Sequence, residues 1–298
     1  MKIFEMLNLD AHYFIVISIN LLAAIILLVS IKYISGWIAN VNATDELKEK
    51  DNAAFGISIF AVMLSISIMM TGVVSGGSDE IIANEAISVV TYGVLGLVLM
   101  FVTRFVFDKF TMPNISIKDE IKNGNMAVAI IDAGNVLATA IIIRSIMVWI
   151  ETEAISGVIF VCIGYIISQI VLVIATIYRK KIFNKTSSRK MHDLLLQGNM
   201  ALAFRFSGYR IAIAFAIAST SGIVPFSTEN ILTISILWLV ISVIMIVIIS
   251  LLSLIAHKII LKDIDNNAEI REESNIAIGL IEGGISICIA LLVASLTI

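Results

Sequence analysis

The sequence predicts an all-α polytopic membrane protein of eight transmembrane helices, arranged as four two-helix repeats that pair into two tandem four-helix domains. Three observations predict it. The 298-residue chain is 59% hydrophobic and only 14% charged, against about 45–50% and about 25% for a soluble chain. Its apolar residues gather into eight runs of the length, about 20 residues, that about 30 Å of hydrocarbon requires. The start of every second run repeats one pattern at spacings of 73, 74 and 76 residues.

The runs follow in order. The first, 13–35, comes after MKIFEMLNLD, which carries two acids and Lys2. It lacks the basic leader and cleavage site of a signal peptide and reads as a retained span. The second is 53–75, and the third, 84–107, has Arg104 near its close. The fourth, 126–149, holds Asp132 near its middle and Arg144 near its close. The fifth is 155–178, and the sixth, 200–220, holds Arg205 and Arg210. The seventh, 230–256, is free of charge, and the eighth, 276–297, holds Glu282. Each must be a helix, because lipid leaves an open strand edge without hydrogen-bond partners. None alternates like a barrel strand. Pro113 and Pro225 both fall in links, which argues against a transporter built on broken helices.

Charge orients the spans. Sixteen of the 20 Lys and Arg residues fall in or beside the links joining spans 1–2, 3–4, 5–6 and 7–8, Arg104 among them. The positive-inside rule makes that side cytoplasmic and puts both termini outside. The net charge of −3 gives no reason to expect nucleic acid. Cys162 and Cys288 lie in apolar runs without ligand spacing and read as small buried thiols. His12, His192 and His257 fall at helix ends or in links and read as interfacial or solvated. No HExxH, GxSxG, Walker A or dinucleotide glycine pattern occurs. The expectation is a non-enzyme with no metal and no cofactor.

The four even-numbered spans begin DNAAFGISIFA, GNMAVAIIDAG, GNMALAFRFSG and SNIAIGLIEGG. Their asparagines are Asn52, Asn125, Asn199 and Asn275; nine positions on stand Ala61, Gly134, Gly208 and Gly284. An asparagine at a helix start caps it by accepting from first-turn amides. Small residues within a span let helix backbones approach in lipid, where hydrophobicity does not drive association. The shared positions therefore read as packing.

GNMAVAIIDAG with IIIR downstream, and KDNAAFGISIFA before it, resemble the domain of unknown function 350, the YjfL-like bacterial inner-membrane family. That domain is a four-helix unit. The resemblance implies two tandem copies, about 1–150 and 151–298, in a bacterial plasma membrane, and implies no biochemical activity. The second half departs from the pattern: Arg205 interrupts the third unit, and Ala294 stands where Arg144 would.

The charges within spans remain. Asp132 and Glu282 each lie seven residues past their asparagine, Arg205 six past and Arg210 eleven past. A charge at such depth costs at least about 2.5–3.5 kcal/mol. Asn135 and Thr139 share the helix face of Asp132; Glu282, flanked by Gly279 and Gly283, has Ser286 one turn on. Two readings stand. In one, Asp132, Asn135, Thr139, Glu282, Arg205 and Arg210 line a transporter- or channel-like pathway. In the other, Asp132 or Glu282 meets Arg205 or Arg210 in a structural ion-pair network of a membrane scaffold. Arg144, about 18 Å from Asp132 along one helix, is expected to snorkel toward Glu151 or Glu153. Expected partners are the lipid bilayer, a homo-oligomer, and a cytoplasmic protein or anionic lipid at the basic link 179–190. The competing reading of that link is a topology determinant.

Overall fold

The computed structural model describes residues 11–74, 82–150, 157–187 and 189–297, all of them in helices or the links between them. The eight long helices are α1 (Ala11–Ala39), α3 (Ala53–Val74), α4 (Ile82–Val106), α6 (Met126–Ile150), α7 (Gly157–Thr186), α9 (Met200–Ala218), α10 (Ile231–Ile260) and α12 (Ile276–Ser295). Each is long and apolar enough to cross a bilayer. A π-turn, Phe107–Thr111, extends α4, and a 3₁₀ turn, Ser219–Gly222, ends α9. Four six-residue helices complete the chain: α2 (Ala43–Lys48), α5 (Ile117–Lys122), α8 (Met191–Leu196) and α11 (Asn266–Arg271). Each two-helix unit is therefore a long helix, a short one and a second long one.

The short helices have local causes. In α2 and α5, acids occupy the first turn and a lysine the last, the arrangement that complements the helix dipole. Asn42 caps α2, and Asp265 caps α11 by accepting from two amides. Gly124 and Gly198, at φ 85° and 81°, turn the chain out of α5 and α8, a conformation that suits glycine. Ser274 takes the same left-handed turn after α11.

The repeat asparagines do two jobs. Each side-chain oxygen caps its span: Asn52 accepts from Phe55 N at 3.0 Å, Asn125 from Val128 N at 3.2 Å, Asn199 from Leu202 N at 2.8 Å and Asn275 from Ala277 N at 3.1 Å. The amide nitrogen reaches across to the next unit. Asn52 donates to Ile121 O at 3.1 Å, Asn125 to Leu195 O at 3.1 Å and Asn199 to Ile270 O at 2.7 Å. Asn275, in the last unit, donates to Glu269 of its own unit at 2.7 Å.

That clasp sets α3, α6, α9 and α12 side by side in one row, each packed closely on the next. The glycines make the approach possible. A Cβ at Gly134 would strike Ser207, and one at Gly208 would overlap the Gly283 backbone. Gly284, the corresponding residue of the last unit, faces open space. At the other end Phe60 and Leu47 are exposed. The core follows the row, from Phe55, Ile59 and Ile66 on α3 through Ile131 and Ile142 on α6 to Leu202 and Ile213 on α9. The outer faces of α1, α7 and α10 present isoleucine and leucine outward, among them Leu22, Ile170 and Leu251.

Three expectations need correction. The chain from 179 to 186 is not a free link but the last two turns of α7. Nothing in YRKKIFNKT breaks a helix. Thirty residues span about 45 Å, beyond about 30 Å of hydrocarbon, so the charges fall where they are tolerated. His257 does fall in the last turn of its helix but is not solvated: it is 7% exposed, on the buried face of α10. Cys288 is exposed on α12 and Cys162 half-buried, because both lie on helix faces turned away from the row.

Candidate functional site

The intramembrane charges collect at the seams between units. At the first seam Asp132 on α6 is 1% exposed. Arg104, two residues before the end of α4, donates through Nε to Oδ1 at 3.1 Å and through Nη2 to Oδ2. Ser58 on α3 donates to Oδ2 at 3.0 Å and accepts from Arg104 Nη2 at 2.9 Å. Both carboxylate oxygens are thus engaged, and the hydroxyl ties the pair to the neighbouring unit.

At the last seam Glu282 on α12 is 3% exposed. Arg205 on α9 sets Nε 2.8 Å from Oε2. Asn266, at the start of α11, donates to Oε1 at 2.9 Å. His257 Nε2 lies 2.9 Å from the Glu282 carbonyl oxygen, and Ser286 donates to the same oxygen at 3.0 Å. Gly279 and Gly283 press on the backbone of α9 at Ala201 and Phe204.

These two sites share one register. Asp132 and Glu282 stand seven positions past their asparagines, and each faces the residue six positions past the previous asparagine: Ser58 in one case, Arg205 in the other. At the middle seam those positions are Phe206 and Ile131, and the polar contact moves one turn deeper. There Arg210, 1% exposed, donates to Asn135 Oδ1 at 2.6 Å and to Thr176 Oγ1 at 2.7 Å, with its guanidinium 4.6 Å from the Phe107 ring centre. Thr139 accepts from Gln169 at 3.3 Å. Arg210 Nε, Asn135 Nδ2 and Gln169 Oε1 have no partner among the described residues.

The pairing expected for Asp132 is thus corrected: its partner is Arg104, not Arg205 or Arg210. Arg104 looks like a link residue because the third apolar run stops near 107. The helical stretch continues to Thr111, which carries Arg104 inward to the level of Asp132. A signal was present: an acid seven residues inside one span and an arginine just inside the facing end of the span before it lie at matched depth. Arg210 meets no carboxylate among the described residues. The expected balance of two acids against two arginines is therefore replaced by two ion pairs and one arginine held by neutral groups. The Asp132, Asn135 and Thr139 stripe is real and fully buried, but it is shared between two seams. Arg144 donates to Thr71 on α3 at 2.8 Å instead of only snorkelling; Glu151 and Glu153 lie outside the described residues.

The described residues contain no cluster of three or more His, Cys, Asp or Glu side chains that could hold a metal ion. The model of the family described as Domain of Unknown Function (DUF350) matches residues 8–147 and again 152–297. No curated protein matches, and no solved structure matches. The boundary between the two matched regions falls at the middle seam, where α6 meets α9 as closely as the spans within each region meet.

Proposed function

We infer that this chain, which belongs to the DUF350 family, is a non-catalytic membrane scaffold whose intramembrane charges hold its four units in register. The observation that carries this reading is the complete engagement of Asp132: two nitrogens of Arg104 and the hydroxyl of Ser58 occupy both carboxylate oxygens across a seam. A carboxylate that carried protons or ions would need a face free to exchange them. Arg205 also supports the structural role, because it answers Glu282 at the corresponding position of the last seam. A buried pair of this kind fixes register more than it adds stability.

In this reading the protein sits in a bacterial plasma membrane with its short helices and basic links in the cytoplasm and both termini outside, following the distribution of Lys and Arg. The exposed side chains Lys181, Lys185, Arg189 and Lys190 are the part of the basic stretch left for a cytoplasmic partner. Flux measurement in proteoliposomes tests the reading against transport. The wild-type protein should pass protons, sodium, potassium and chloride no faster than empty vesicles. A wild-type flux that Asp132→Asn abolishes while the variant stays folded would establish the pathway instead.

A further inference from the structure

A cavity of ≈ 840 Å³ lies between α7, α9 and α10, within the range of about 300–1,000 Å³ that holds small organic ligands. Its walls are almost wholly apolar. Ile174, Val243, Val247 and Leu251 line it and are also exposed on the outer surface, so its flank opens toward hydrocarbon. Arg179, Arg205 and Arg271 line it too, toward the end that carries the short helices. Arg179 is 22 residues along α7 from Gly157, about 33 Å by helix rise. That distance exceeds the hydrocarbon thickness of about 30 Å and puts the guanidinium at headgroup level.

Two of these arginines lack an acid. Arg205 is paired with Glu282. Arg179 donates to Ser250 Oγ at 3.0 Å and lies 4.3 Å from the Tyr209 ring centre. Arg271 donates to Thr186 O at 2.9 Å and to its Oγ1 at 3.1 Å, lies 4.5 Å from the Phe183 ring centre, and keeps a buried Nε without a partner. Among the described residues neither forms an ion pair within 4.0 Å. Burial and the nearby Arg205 hold Arg271 below its ordinary value, with Asp265 acting in the opposite direction.

The repeat explains where the missing charge would be. Arg104 precedes Asn125 by 21 residues, and Arg179 precedes Asn199 by 20. Arg179 is thus the third unit's counterpart of Arg104. Seven positions past the asparagine the second unit has Asp132, whereas the third has Phe206, which lines the cavity. The arginine is retained, and a phenylalanine stands where its acid would be.

We propose that this groove binds an anionic phospholipid, its phosphate held by Arg179 and Arg271 beside Arg205, with an acyl chain along α7 and α10. Guanidinium groups suit phosphate oxygens through paired, charge-assisted hydrogen bonds. Basic pockets between spans are a recurrent site for anionic headgroups. The apolar length selects a lipid over free phosphate: from Leu239 to Leu254 the lined face of α10 runs for about 22 Å. The site is independent of whether the row of spans acts as a scaffold.

Native mass spectrometry tests it on the full chain released from nanodiscs of mixed phosphatidylglycerol and phosphatidylcholine. Phosphatidylglycerol should stay bound at least about tenfold more than phosphatidylcholine, and millimolar inorganic phosphate should not displace it. Arg179→Gln with Arg271→Gln should cut retention at least about fivefold, and Arg189→Gln, an exposed basic residue outside the groove, should leave it unchanged. Val247→Trp, which fills part of the apolar wall at an exposed position, should lower retention without touching a charge and without lowering the unfolding temperature. Equal retention of the two lipids, displacement by phosphate alone, or an equal loss in Arg189→Gln overturns the proposal.

Discussion

Arg104 and Asp132 are 28 residues apart on neighbouring helices, and the guanidinium grips both oxygens of the carboxylate while Ser58 of the adjoining unit bridges the two. The same position in the last unit is Glu282, yet its arginine, Arg205, comes from the preceding unit and from a different kind of helix. What the fold keeps is a carboxylate seven residues into the span and a cation facing it. The helix that supplies the cation is free to change, because either neighbour of the acid lies within reach at that depth.

The row has an inside and an end, and glycines at corresponding positions should report the difference. Gly208 abuts the Gly283 backbone, whereas Gly284 meets nothing. Gly208→Ala should destabilise by about 1–3 kcal/mol through overpacking. Gly284→Ala should fall within about 0.5 kcal/mol of wild type. Thermal unfolding of the two variants in detergent separates them, and equal effects would mean that the row does not end at α12.

Asparagines at the two positions should differ likewise. Asn199→Ala removes a cap and leaves the Ile270 carbonyl without its donor. The expected loss is about 1 kcal/mol for the cap plus about 1–3 kcal/mol for the stranded acceptor. Asn275→Ala loses its cap and a contact within its own unit only, so it should cost about 1 kcal/mol. Chemical denaturation of both variants in one detergent gives the comparison.

Glu46 offers a pH test outside the spans. Hydrogen bonds from Lys50 and Asn52 hold its carboxyl below the ordinary carboxylate range, against the opposing effect of burial. A lowered carboxylate contributes stability that is present above its unfolded value and disappears as pH falls through the folded one. Wild type should therefore melt above Glu46→Gln at pH 7, and the gap should close in acid below about pH 4. A gap that widens in acid would contradict this assignment.

Much of this was legible in the residues, for physical reasons. Lipid forces helices, so eight apolar runs gave eight spans. The four asparagines announced a recurring cap, and the glycines nine positions on announced close approach. Two things were not legible. The cross-unit amide bonds, Asn52 to Ile121 and its counterparts, depend on which units become neighbours, and periodicity along one helix carries no such information. Arg104 was obscured because hydropathy ends a span at the first charges, although backbone hydrogen bonding carries the helical stretch on to Thr111. The length of α7 was hidden in the same way, and with it the place of Arg179 on a helix instead of in a link.

The double-mutant cycle on Arg104 and Asp132 asks most directly whether the buried charges are structural. Arg104→Met and Asp132→Leu are measured singly and together by reversible unfolding in micelles. Each single change strands a buried charge and should cost about 3–5 kcal/mol. The double variant, with neither charge left, should return to within about 1.5 kcal/mol of wild type, the tolerance of a volume-conserving apolar swap. Additive losses, or an Asp132→Leu protein as stable as wild type, would contradict a structural seam.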